Sequence, residues 1–246
     1  KQKNFCVTKD RVPLRGWPQG QPRIVYVQER IGGIDDMDKE SFMRDYWTYY
    51  LMLEEKFIQT TNYVTLAEDN YAAYSNEYAA LMQTIGAELD SFFKVYCPDD
   101  LSKYKEIAEQ NPKDKPNIIT YRACLLDTYP DIVKQEVEIK SAGIRFCPFG
   151  EWNPNLSSRE QKPLMWWKAF ADIKHDRLDS RKEANQKNTL FILGALYLLE
   201  MKYLKNITEG LDIPNLPDKL SGLFSLPGWE SDYTYYGNNL WGKKIR

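Results

Sequence analysis

Residues 189–199 read "TLFILGALYLL", eleven positions without a charge, closed by Glu200 and Lys202. A membrane span needs about 20 such residues. An eleven-residue run is also long for a strand, so it predicts a helix, over about 181–205, buried on nearly all sides. A helix of that kind needs other helices around it. Three more patterns supply them. Residues 41–67 place Phe42, Tyr46, Tyr49, Tyr50, Leu53 and Phe57 at spacings of three and four, with Arg44, Asp45, Glu54, Glu55 and Lys56 assigned to the polar side. Residues 76–96 place Tyr78, Leu81, Met82, Ile85, Leu89, Phe92 and Tyr96 on one face, and Pro98 closes the segment. Pro163 suits the first turn of a fourth helix running through Trp166 and His175.

The expected fold is therefore mainly α: an antiparallel helical bundle over 41–206 with a segment inserted at 98–162. Within the insertion the spacing predicts short helices at about 99–110 and 118–128. A β-hairpin is expected over 137–146, around Ala142-Gly143. Residues 1–40, rich in Gly and Pro, read as an irregular arm with one strand at 23–28 and a helix cap at Asp38 or Ser41. Residues 207–246 read as an aromatic-rich tail that packs back on the bundle.

Composition narrows the function classes. The 246 residues are 43% hydrophobic and 14% aromatic, which describes a folded chain. Thirty-three basic residues are balanced by 35 acids, so no global positive field advertises nucleic acid. The four cysteines, Cys6, Cys97, Cys124 and Cys147, form no Cys-x-x-Cys pair. With one histidine, a zinc site of the usual spacing is not expected, and neither is any other cofactor. No secretory leader is visible, so reduced thiols and a cytoplasmic, non-membrane protein are expected. Phosphate-binding glycine loops and the Gly-x-Ser-x-Gly elbow are also missing from the sequence.

The chemistry-bearing stretch is "WWKAFADIKHDR", 166–177, which holds the single histidine. On a continuing helix, Asp172 and Asp179 flank His175 at three and four residues, and either carboxylate could fix its tautomer. Arg177 and Arg181 form an i, i+4 pair, and Lys174 adjoins. A histidine among cations suits a phosphodiester: the cations hold phosphate while the imidazole moves a proton. On the earlier helix, Asp90 and Lys94 sit four apart, near Glu88.

The segments "YWTYYLMLEEKFIQTTNYVTL" (46–66), "NYAAYSNEYAALMQTIGAELDSFFK" (70–94), "WWKAFADIKHDR" and "ANQKNTLFILGALYLLE" (184–200) together resemble a group of bacterial helical proteins with a Trp-Trp…Lys-His-Asp-Arg motif and, more remotely, the HEPN superfamily. The resemblance covers roughly 42–204. It implies an up-down bundle, homodimerisation and metal-independent RNA cleavage in a toxin or phage-defence setting, with an antitoxin or other protein partner. The superfamily's ribonuclease motif is Arg, four to six residues, then His. His175 matches the histidine, while Lys168, Ala169 and Phe170 stand where the arginine would be. On that reading His175 and Arg177 are catalytic, Lys168, Lys174 and Lys94 bind substrate, and Glu88, Asp90, Asp172 and Asp179 support them. The alternative is a non-catalytic helical module that binds a protein partner or a nucleotide.

Overall fold

The computed structural model describes residues 37–97, 117–156, 160–231, 233–236 and 239–243. All of them belong to the larger of two units, Gly32–Arg246. The predicted strand at 23–28 and the predicted helix at about 99–110 lie outside the described residues.

The described chain is mainly helical, with a small sheet. Helix α1 is continuous through three segments: an α turn Lys39–Phe42, a π turn Met43–Trp47, and an α segment Thr48–Thr60. Asp38 caps it by accepting the Ser41 N–H at 2.8 Å. The π turn carries an extra residue. Phe42 before it and Trp47, Tyr50, Leu53 and Phe57 after it all reach the core. Helix α2, Asn76–Tyr96, is capped by Ser75, whose hydroxyl accepts the Tyr78 N–H at 3.0 Å. Helix α3, Ile118–Thr128, starts on the Asn117 side chain and stops before Pro130. Helix α4 is Met165–His175, with Pro163 just outside it rather than in its first turn. Helix α5, Gln186–Thr208, is capped by Asn185, which accepts the Asn188 N–H at 2.9 Å.

Ring contacts give the helix directions. Phe57 meets Tyr78 and Tyr46 meets Phe92, so α1 and α2 are antiparallel. Phe93 meets Trp167, and Phe170 covers Gly86, so α2 and α4 are antiparallel. Tyr50 meets Tyr197 and Phe42 meets Tyr203, so α1 and α5 are antiparallel as well. Helix α5 is the centre, packed on α1, α2 and α4. Leu190, Ile192, Leu193, Ala195, Leu196, Leu198 and Leu199 have no exposed surface. The all-round burial expected of the apolar run is what the structure shows.

The hairpin forms as expected. Strands β1, Val137–Ile139, and β2, Ile144–Phe146, pair antiparallel across a turn in which Gly143 takes a φ of 63°. A third strand, β3 (Phe224–Ser225), was not anticipated; it pairs with the other edge of β1. Through it the segment after α5 returns to the bundle and buries Leu223, Phe224 and Leu226. Beyond it, β4, Tyr233–Tyr236, and β5, Asn239–Lys243, form a separate hairpin. No described helix is long and apolar enough to cross a membrane.

Candidate functional site

The stretch around His175 folds differently from its prediction. Helix α4 ends at His175. Asp176 leaves helical geometry, with φ −146° and ψ 88°, and its side chain accepts the Asp179 N–H at 3.1 Å. An aspartate that satisfies nearby backbone in this way competes with helix continuation. Asp179 therefore does not stand one helical turn beyond His175, and Arg177 and Arg181 are not an i, i+4 helical pair. Asp172 does not serve the imidazole either: its carboxylate takes the Lys168 ammonium at 2.5 Å. That pair leaves Lys168 committed, with its pKa raised by the hydrogen bond to Asp172. The Lys174 ammonium lies over the Phe170 ring, 5.6 Å from its centre. Arg177 donates to the Asn76 side chain at 3.2 Å. His175 is exposed and has no polar partner among the described residues. The two tryptophans before it are packing groups. Trp166 is buried and donates to the Pro148 carbonyl at 2.7 Å, and Trp167 meets Phe93 edge-on.

The residues assigned to the earlier helix lie elsewhere. Arg177 marks the first residue of α2, and Lys94 is 18 residues further along that helix. At 1.5 Å per residue that is about 27 Å, with Glu88 and Asp90 at about 18 and 21 Å. Two residues apart on a helix, Glu88 and Asp90 also point different ways. Asp90 faces α3, where its carboxylate, after burial, raises the Tyr121 hydroxyl pKa. Glu88 faces α1 and α5, where it acts on Tyr46 and Glu200. General acid–base chemistry needs its groups within hydrogen-bond reach of one atom. Within one chain, His175, Glu88, Asp90 and Lys94 do not meet that condition.

Three polar features went unpredicted. The first is Glu54, assigned to the polar face of α1 but buried at 3% exposure. Its carboxylate accepts the Tyr50 hydroxyl at 2.5 Å, the Ser221 hydroxyl, and the Gly222 N–H at 2.7 Å. Lys140 donates to the Ser221 carbonyl at 2.6 Å. This is a clasp that holds the returning segment against α1. Burial, then the Glu54 carboxylate, keeps Tyr50 well above the ordinary phenol range and hence a donor.

The second is Glu200, with no exposed surface and neither carboxyl oxygen hydrogen-bonded. Burial, then Glu88, pushes its pKa well above the carboxylate range, so it is held towards the neutral form. Its position was readable: three residues after Tyr197 and four before Leu204, it falls on a core-facing line of α5.

The third is a cavity of about 320 Å³ at the C-terminal end of α5. Tyr129, Lys202, Lys205, Asn206, Glu209 and the turn Pro227-Gly228-Trp229 line it. Pro227 and Gly228 are the central residues of a tight turn, closed by Trp229 N–H to the Leu226 carbonyl at 3.2 Å, with Gly228 at φ 73°. Proline followed by a left-handed glycine is the type II pattern, and it aims Trp229 at α5. The dipeptide Pro-Gly in the tail was the available signal.

Among the described residues no group of three or more His, Cys, Asp or Glu is placed to hold a metal ion. Cys97 and Cys124 are buried side by side, and their contact, with burial, raises the Cys97 thiol. No protein-family model, curated protein or solved structure matches this chain.

Proposed function

We propose that this chain is a non-catalytic helical module that binds a ligand or partner, its bundle serving as a rigid frame. The observation that carries the reading is the dispersal of the groups a phosphodiester cleavage site would need. Arg177 is tied to the start of α2, Lys168 and Asp172 neutralise one another, and Lys94 is about 27 Å along the helix from Arg177 by helical rise. A lone exposed imidazole supplies a proton acceptor but no oriented partner.

The test is incubation of mixed cellular RNA with the purified protein in EDTA, beside His175→Ala. Intact RNA in both samples at high protein concentration is the expected result. Cleavage that disappears in the variant overturns the reading. A ribonuclease of the HEPN type is the second reading, favoured by one observation: Lys174, His175 and Arg177 are all exposed at one helix end, open to a macromolecular substrate. On that reading a second copy of the chain would complete the site.

A further inference from the structure

We infer that the cavity between α5 and the Leu226–Trp229 turn is a binding site for a small oxyanion, a phosphate or carboxylate group. This names the ligand class of the binding module proposed above and rests on that reading. The donors are already in place. Lys202 and Lys205, three apart on α5, present two ammonium groups to one cavity. Lys202 lies 5.1 Å from the centre of the Tyr129 ring and Lys205 lies 4.6 Å from that of Trp229. Neither lysine has a carboxylate within ion-pair distance among the described residues. One hydrogen-bond donor, the Trp229 indole N–H, is buried without a partner.

A buried donor left unmade is costly, and two cations side by side repel each other, a repulsion that ring contacts offset only in part. An anion between them answers both. Lysines near a helix C-terminus also complement the helix dipole. That accounts for a part of the two charges, but it leaves the indole N–H unexplained. Glu209 is the acid that lines the cavity, and Asp131 acts on Lys202 from outside the lining. They bias it towards a ligand small enough to sit on the lysine side.

The experiment is calorimetric titration of the full chain with inorganic phosphate and, separately, with acetate at low ionic strength. The variants are Lys202→Met, Lys205→Met and Trp229→Phe, with Lys56→Met, at an exposed lysine of α1, as the control. Saturable phosphate binding is expected, weakened about tenfold or more by each cavity lysine variant, less by Trp229→Phe, and unchanged by Lys56→Met. Acetate binding with the same variant pattern assigns the site to carboxylates as well, and phosphate binding alone assigns it to phosphate groups. If half-buried Lys202→Met fails to fold, Lys205→Met, at an exposed side chain, decides. Absence of saturable binding to either probe, or binding indifferent to both lysine variants, overturns the inference. RNA cleavage that depends on His175 would sink the module reading and leave a phosphate result standing. Intact RNA without anion binding would sink the cavity alone.

Discussion

Replacing Glu200 by methionine should stabilise the protein. Glu200 sits in the middle of α5 with no exposed surface, and both its carboxyl oxygens lack a partner. The titratable groups facing it are Glu88 and Tyr96 on α2 and Tyr46 on α1. None donates to it. A buried polar group without a hydrogen bond costs about 1–3 kcal/mol, and methionine fills a similar volume with no polar atom. For a chain of this length each kcal/mol moves Tm by about 2–4 °C, so Glu200→Met should melt roughly 2–12 °C higher. The sign of the pH dependence follows from the direction of the shift. The native carboxyl binds its proton more tightly than the unfolded one. Its contribution is therefore complete below the ordinary glutamate value of 4.5 and is lost as pH rises towards the raised native value. Each pH unit within that window costs the wild type about 1.4 kcal/mol. The variant has no such loss, so its advantage should widen from pH 5 to pH 8 in urea unfolding. A variant less stable than wild type at pH 8, or an advantage that does not change with pH, refutes the reasoning.

Glu54→Gln should destabilise by about 2–4 kcal/mol, because an amide cannot accept from Tyr50, Ser221 and Gly222 together; chemical denaturation measures it, and a loss below about 0.5 kcal/mol would remove the clasp from the account. Gly86→Ala should cost about 1–3 kcal/mol, since the added Cβ would lie 2.3 Å from Phe170 Cδ2; a melt unchanged from wild type would mean that α2 and α4 separate more easily than their packing implies. His175→Ala should change stability by less than about 0.5 kcal/mol, the imidazole being exposed at a helix end; a larger loss in thermal unfolding would give it a packing role that its surroundings do not supply.

The helices were legible because their signals are local and redundant. Apolar residues three and four apart place α1 and α2, and the uncharged run 189–199 places α5. Pro98 was read as closing α2, which runs over the predicted 76–96, whereas α5 runs over 186–208 rather than the expected 181–205, because Asn185 caps it. Strand β3 was not legible, because its pairing with β1 is a contact between residues more than 80 apart in sequence, formed by a two-residue strand. The polar constellation failed for a different reason. Its geometry assumed that α4 continues past His175, and one side-chain bond from Asp176 to the Asp179 backbone ends it. Spacing arguments at i, i+3 and i+4 hold only while the helix does.

The two buried acids show where helical patterning can be pressed further. A charged residue inside an apolar period is ordinarily assigned to the solvent face, as Glu54 was. But α5 has almost no solvent face over the length of its core run, so an acid at position 200 can only be inside. Glu54 follows Tyr50 by four and precedes Phe57 by three, and both those neighbours are fully buried. Position therefore outranks residue type in placing such a group. The chemistry of the group then determines what its surroundings must supply. Glu54 is met by three donors, which fixes the returning segment to α1 and explains why a carboxyl group is tolerated there. Glu200 is met by none, so it is held towards its neutral form and its burial lowers stability. The same accounting applied to the Trp229 donor, with Lys202 and Lys205 beside it, is what singles out the α5 cavity as a place for a ligand rather than a packing gap.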